Sequence, residues 1–509
     1  MRRDLRRLAD STFDLVVVGA GIYGAIAAWD ATARGLSVAL LDRGDFGSGT
    51  SFNSLKTLHG GLRSLQALDL RQMRLFIRER RAMARVAPHL VRVLPCVVPT
   101  YRDPGRSAPL MRLALLVNDL VARDRNAGLD GAHTHIPASA VVSRDACLEL
   151  NPLVDPAGVT GGAIWHDYQM TSPDRVTLAF VRSASTAGAV TANYVAATRL
   201  LITGQCVEGV TVRDACTDST FDVRAGAVLN AAGPWAASLL DNLPSVRATL
   251  PVPALSRAMN LVVRRLPGSR ACGGLARGRF LFAVPWQSAS ILGTSHDPHD
   301  GAPDLRVTRA HVEGLLAEAR EAFPRAGLAY GDVRLVHRGL LPMVSSANGH
   351  VQLLRESVVV DHRSHGVDGL VSMVGVRYTT ARDTAEKATD AVFRTLGYAR
   401  PPACRTEITP LDTSDLDAIA ALQSLQGLEE PIGAESTTTG AEIVHAARAE
   451  AAVHLADAVI RRTGIGAAGR PSDQTLARAA ELMGAELGWS DEQRRREIAD
   501  VDAFYELPA

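Results

Sequence analysis

Residues 13–42 constrain this chain more than any other stretch, because they contain a strand, a glycine turn, a helix and a second strand that ends in an acid. The apolar run Leu15, Val16, Val17, Val18 suits a buried parallel strand. Gly19, Gly21 and Gly24 follow at the G-x-G-x-x-G spacing, which permits a tight turn, close approach of backbone to a pyrophosphate, and close packing of helix on strand. A helix starting at Ile22 offers free N–H groups and a positive dipole end to phosphates. Val38-Ala-Leu-Leu then ends at Asp42, whose carboxylate can accept hydrogen bonds from ribose hydroxyls. The unit as a whole implies a dinucleotide cofactor.

The 509 residues, 47% of them hydrophobic, can bury the cores of two or three domains. Lys and Arg number 55 against 54 acids, a net charge of +1, so no global field gathers polyanions and nucleic acid is excluded as a partner. Six scattered cysteines without a C-x-x-C pair argue against a metal site or a disulfide framework, and favour a cytoplasmic location. The basic start is interrupted by Asp4, Asp10 and Asp14, unlike a secretory signal. No apolar run is long enough to span a bilayer, which leaves room for peripheral contact with the inner face of the membrane, and for a homodimer.

Further along, Leu68 to Ala87 reads as an amphipathic helix whose arginines form a solvated face, and a second helical piece lies near Leu110 to Ala122. Short alternating strands run from Gly161 to Val228, and Ala227 to Trp235 returns the chain to the nucleotide sheet. Strands and a helix from about Arg309 to Phe323 suggest an inserted sheet, and Pro401-Pro402 opens a helical tail. The expected organisation is a discontinuous cofactor domain (1–95, 161–245 and 336–400), an antiparallel-sheet substrate domain (96–160 and 246–335) and a helical C-terminal domain (401–509).

The early unit, the strand ending Asn230-Ala-Ala-Gly233 and the late turn Gly375-Val-Arg377-Tyr-Thr-Thr380 together look like a two-dinucleotide-fold flavoprotein, an α/β architecture of the glutathione-reductase-like kind, with FAD as cofactor. Ser48-Gly-Thr-Ser51, Lys56-Thr-Leu-His59-Gly-Gly-Leu-Arg63, Arg85 to Leu90, Asn230 to Trp235 and Val284-Pro-Trp286 to Thr294 resemble FAD-dependent glycerol-3-phosphate dehydrogenases, which are DAO-type flavoprotein oxidoreductases. Arg461-Arg-Thr463 and Ala480 to Trp489 are similar to that family's helical C-terminal domain, so the resemblance covers nearly the whole chain. It implies non-covalent FAD at Gly19, Gly21, Ile22, Gly24, Asp42, Arg43, Thr50, Ser51, Ser54, Lys56, His59, Gly61, Ala232, Gly233, Gly375, Arg377, Tyr378 and Thr379. It further implies hydride transfer from C2 of sn-glycerol 3-phosphate, a base for the hydroxyl proton, and an electron acceptor (quinone, oxygen or another) left open by the sequence.

Such chemistry needs a proton acceptor at the hydroxyl and cations for a phosphate, a task that suits the planar fork of arginine. His59 and Arg63 fall in the family's loop beside the flavin, Arg355 matches a substrate-binding arginine, and Arg377 stands where the family has lysine. Two departures are decisive. Asn260 occupies the position of the family's histidine base, and Leu341 that of a phosphate-contacting arginine. Losing one bidentate contact costs roughly 1.5–3 kcal/mol of binding. Either Arg338 supplies the missing cation and His296 or His337 the base, or the substrate is larger or less anionic than glycerol 3-phosphate. The second reading is preferred, because a charge and a base are missing together beside intact FAD motifs. The candidate catalytic set is His59, Arg63, His296, Arg338, Arg355 and Arg377. An FAD-dependent amine or amino-acid oxidase, and a non-catalytic FAD-bound interaction protein, are the alternatives.

Overall fold

The structure is a computed structural model that describes residues 1–252, 254–299, 305–344, 351–425, 427–434 and 436–509. Its first sheet has the strand order Val358–Asp361, Leu370–Val374, Thr220–Asn230, Thr12–Val18, Val38–Leu41, Val190–Ala192. The pairings among the last five are all parallel, for example Leu15 beside Val38 on one side and beside Ala227 on the other. Such strands are covered on both faces and read as continuous apolar runs, which is why Leu15, Val16 and Val17 are fully buried. Helices Ile22–Ala33, Pro173–Thr186 and Ala381–Thr395 cover one face.

The second sheet is largely antiparallel: Gln352–Leu353, Val333–Val344, Ala254–Arg264, Ala289–His299, Arg279–Trp286, Ala271–Ala276, Val91–Thr100, Gly161–Met170 and Thr57–Leu58. This corrects the expected division of the chain. Val91–Thr100 pairs along its whole length with Gly161–Met170, and Val333–Val344 pairs with Ala254–Arg264, so these strands do not belong to the cofactor sheet. Breaks at residues 95, 161 and 336 would each cut or misplace a ladder strand, because hydrogen-bond pairing continues where motifs and composition change.

Beyond Pro402 lie helices Ser414–Gln423, Gly440–Ala449, Asp473–Leu487 and Asp491–Tyr505, with a π-helical turn at Asp457–Arg462. Their apolar faces pack Ile443, Leu455, Val459, Leu476 and Val501 with Phe52, Val262, Trp286 and Leu335 of the second sheet and its neighbouring loop. No helix among the described residues is long and apolar enough to cross a membrane.

Candidate functional site

Four parallel strands of the first sheet end at one place, and the segment after each lines the same cavity: Gly19 to Ile22, Asp42 to Gly44, Ala231 to Trp235, and Gly375 to Thr379. Ligands of open α/β sheets bind at these carboxyl ends. The cavity measures about 1980 Å³, with the second sheet as its far wall. Ligand pockets usually hold roughly 300–1,000 Å³, so there is room for a dinucleotide and a second molecule.

Missing side chains shape the cofactor end. Gly19 has φ +102°, and a Cβ there would lie 2.6 Å from the Ala231 carbonyl oxygen. At Gly24 a Cβ would lie 1.8 Å from the Gly19 oxygen, so this glycine does not line the cavity but keeps the helix tight against the turn. The Ile22 amide at the helix start donates to Ser51 Oγ at 2.9 Å. Asp42 accepts from the Ala20 amide (2.6 Å) and the Gly44 amide (2.9 Å), and burial pushes its carboxyl up to about 6. The Arg43 guanidinium sits 4.1 Å above the Trp235 ring, joining the first motif to the second. Thr50 ties its loop to the second sheet through Leu340, accepting from its amide (3.3 Å) and donating to its carbonyl (3.1 Å).

The late turn is locked to the first helix by Tyr23. Its hydroxyl donates to the Arg377 carbonyl at 2.7 Å and accepts from the Val376 and Arg377 amides at 3.2 and 3.1 Å. A Cβ at Gly375 would enter the Tyr23 ring. Thr379 Oγ1 accepts from the His59 amide (3.2 Å), and the Tyr378 hydroxyl reaches the Pro173 carbonyl (3.1 Å). His59 Nδ1 lies 3.9 Å from Asp167, which also accepts from the Gly60 amide (2.6 Å), Arg80 (2.7 Å) and the Trp165 indole (3.1 Å). Burial opposes the Asp167 charge, yet the nearby His59 imidazole and the charge of Arg80 hold its carboxyl down to about 2.

On the opposite wall, Asn260 is buried and both ends of its amide are used. Its Nδ2 donates to Asn53 Oδ1 and its Oδ1 accepts from Thr294 Oγ1, each at 2.7 Å. His296 lines the same wall with Nδ1 buried and without a hydrogen-bond partner among the described residues. Burial first, then the charges of Arg279 and Arg63, pulls its imidazole down to about 4, so it is neutral at physiological pH. Leu340, Leu341 and Leu353 make the neighbouring surface apolar.

Gly19, Gly21, Ile22, Asp42, Arg43, Thr50, Ser51, Ser54, His59, Gly61, Ala232, Gly233, Gly375, Arg377, Tyr378 and Thr379 all line the cavity, together with Arg63, His296 and Arg355. Arg377 donates to the Arg355 carbonyl and lies over the Phe76 ring. Three expectations are corrected. Lys56 does not reach the cavity: it is buried at a positive φ, its Nζ donates to the Phe52 carbonyl at 2.8 Å, and the head stacks on the Phe52 and Trp286 rings. Arg338 does not line it either. It pairs across the ladder with Met259, a core residue, whereas the next pair, Asn260 with His337, lies on the other face of the sheet. His337, the other proposed base, is buried edge-on against Phe52 and does not line the cavity. Conversely, sequence reasoning missed Tyr23, Asp167 and Arg279, none of which carries a local motif. Arg279 lines the wall, but it is ion-paired with Glu318 and donates to the Thr294 carbonyl.

Glycines cleared of Cβ atoms, a helix N-terminus at the cavity and an acid at the second strand fit a dinucleotide, and the late glycine turn extends the cavity as a flavin requires. Residues 14–381 match the family described as FAD dependent oxidoreductase. The chain belongs to that family. This oxidoreductase also matches, over residues 414–494, the C-terminal domain of alpha-glycerophosphate oxidase. Over 99% of its length it is 26% identical to a glycerol-3-phosphate dehydrogenase of Synechocystis sp., of which it covers 98%. It is 29% identical, over 98% of its length and 74% of the relative's, to the mitochondrial glycerol-3-phosphate dehydrogenase of Macaca fascicularis. The crystal structure of the Bacillus halodurans glycerol-3-phosphate dehydrogenase with FAD superposes with a TM-score of 0.71 at 23% identity, covering 98% of this chain and 95% of that one.

Proposed function

We propose that this oxidoreductase oxidises a CH–OH carbon of a substrate related to glycerol 3-phosphate but bulkier or less anionic. FAD, held between Gly19, Asp42, Gly233 and Gly375, is the hydride acceptor. The side chains around it supply the remainder. Arg63 has no hydrogen-bond partner among the described residues and, with Arg377, offers a fork to an anionic group. His296, neutral and with an Nδ1 that has no hydrogen-bond partner among the described residues, takes the hydroxyl proton. Asp167 orients His59 beside the late turn.

The observation that supports an altered substrate is the far wall. Asn260 is saturated by Asn53 and Thr294, Leu341 sits among leucines, and Arg279 has its charge met by Glu318. Anaerobic mixing with glycerol 3-phosphate, larger or uncharged secondary alcohols, and amines, while following the flavin's visible absorption, tests this. A larger or less charged alcohol is expected to bleach fastest. Fastest bleaching by glycerol 3-phosphate overturns the altered substrate, and bleaching by amines alone overturns CH–OH oxidation.

The surface supports a cytoplasmic protein resting on the inner face of an anionic membrane. Leu110, Leu113, Leu116 and Leu120 are exposed along helix Ala108–Val121, with Leu68 and Leu70 also exposed and Arg71, Arg112 and Arg123 nearby in the chain. Co-sedimentation with anionic but not neutral phospholipid vesicles is the expected result.

A further inference from the structure

We propose that Arg461 and Arg462 of the C-terminal helical body are positioning residues for FAD, acting through Asp45 on the loop that lines the cofactor cavity. This rests on the FAD site alone and is independent of the identity of the substrate. Asp45 lies three residues after Asp42, at the start of the segment whose Ser48, Gly49, Thr50 and Ser51 line the cavity. It is 2% exposed and points away from the cavity into the domain boundary. There Arg462 grips it with a two-pronged fork, Nη1 to Oδ2 at 2.7 Å and Nη2 to Oδ1 at 2.6 Å, and Arg461 adds Nε. Asn193 Nδ2 bridges the same carboxylate and the Ala451 carbonyl, both at 2.9 Å.

Two adjacent arginines converge on one carboxylate because Asp457–Arg462 is a π-helical turn, marked by the bond from the Thr463 amide back to the Ala458 carbonyl at 3.0 Å. Such wide turns are rare and recur at functional sites. Arg461 Nη2 also holds Asp457 (2.7 Å), which accepts from the Tyr194 hydroxyl and from the Val453 and His454 amides as well. The Tyr194 amide in turn donates to the Gly44 carbonyl (3.0 Å) and the Val195 amide to that of Asp42 (2.7 Å). On the loop's inner side, the Gly47 amide donates to the Ala20 carbonyl (3.0 Å), within the glycine turn itself. Phe52 at the loop's far end packs against Phe504 of the last helix, ring centroids 5.9 Å apart.

Within itself the loop has a turn closed by the Ser48 amide on the Asp45 carbonyl (3.1 Å) and one short 3₁₀ turn, Thr50–Phe52, so much of its fixing comes from the outside partners just described. Fixing it from outside removes ordering entropy that FAD binding would otherwise have to supply. Linkage makes this reciprocal: FAD must tighten the docking of the C-terminal body by the same factor.

The test compares Arg462→Met with Arg175→Met in the full-length chain. Arg175 also ties the C-terminal region to the first domain, through Glu450, Asp415 and the main-chain carbonyl of Arg462, but none of its hydrogen bonds among the described residues reaches Asp45 or the loop. FAD dissociation constants are read by flavin fluorescence on apo-protein shown to be folded by circular dichroism. Arg462→Met is expected to raise the constant about tenfold or more and Arg175→Met less than about twofold, with Arg462→Lys intermediate because it keeps the charge but not the fork. FAD should also slow proteolysis of the 401–439 connection in the wild type and not in Arg462→Met. Equal losses in the two methionine variants, or none in Arg462→Met, overturn the proposal. If Arg462→Met does not fold, the milder Asn193→Ala decides: a rise of about threefold or more supports the proposal, and an unchanged constant overturns it.

Discussion

Around Gly19, Gly233 and Gly375 the cleft is built from backbone and from gaps where Cβ atoms would stand, whereas the wall at Asn260, His296 and Leu341 is built from side-chain heads on a ladder. Backbone geometry tolerates few replacements, since a Cβ at Gly19 or Gly24 runs into main-chain oxygen. Heads on a strand can be exchanged while the ladder persists. Cofactor and substrate specificity can therefore diverge within one chain.

The sharpest way to break this comparison is at His296. His296→Ala is expected to cut turnover by about 100- to 10,000-fold while leaving the FAD dissociation constant unchanged, read by steady-state kinetics beside fluorescence titration. Turnover near wild type removes His296 as the base, and lost FAD binding merges the two regions. Gly19→Ala is the complementary change. It should raise the FAD dissociation constant about 100-fold, equivalent to roughly 2.7 kcal/mol, and an unchanged constant would show that the turn can relax.

Leu341→Arg asks whether the wall alone sets the substrate. Restoring a bidentate contact should raise kcat/KM for glycerol 3-phosphate by about 10- to 100-fold with FAD affinity unaltered; a fall would mean that the leucine is not a specificity position. Tyr23→Phe is smaller. It leaves the Arg377 amide without its acceptor and the Val376 amide with Ser357 Oγ at 3.4 Å, so FAD should bind about fivefold more weakly and the protein melt earlier. The least effect is on pH. The folded His296 stays unprotonated down to about 4, while the unfolded imidazole takes its proton near 6.5. The unfolded state thus binds more protons in that window, and stability falls as pH drops through it. A His296→Gln variant should lose less melting temperature between pH 6.5 and pH 4 than the wild type.

The cofactor cleft was legible because each of its parts is local: a glycine spacing, a strand end, an acid after a strand. The wall was legible only by position. Resemblance located Asn260 and Leu341, but whether Arg338 or His296 faces the cavity depends on strand parity, which the Met259–Arg338 and Ala258–His296 pairs decide. Lys56 misled for a related reason: its positive φ turns a cation from a cofactor-binding motif into the core. Asp167 and Arg279 come from strands far from the motifs, and Tyr23 earns its role only from a partner 353 residues away. The expected domain limits failed where the Val91–Thr100 strand crossed them.

That Tyr23 bridge also sets an order in time. Residues leave the ribosome in sequence at about 5–20 per second, so the glycine turn waits about 20–70 s for Val376 and Arg377 to emerge. During that interval the nascent chain can shape a pyrophosphate seat but not a closed flavin site. A chain that ends between those points lacks the Val376 and Arg377 amides that the Tyr23 hydroxyl holds.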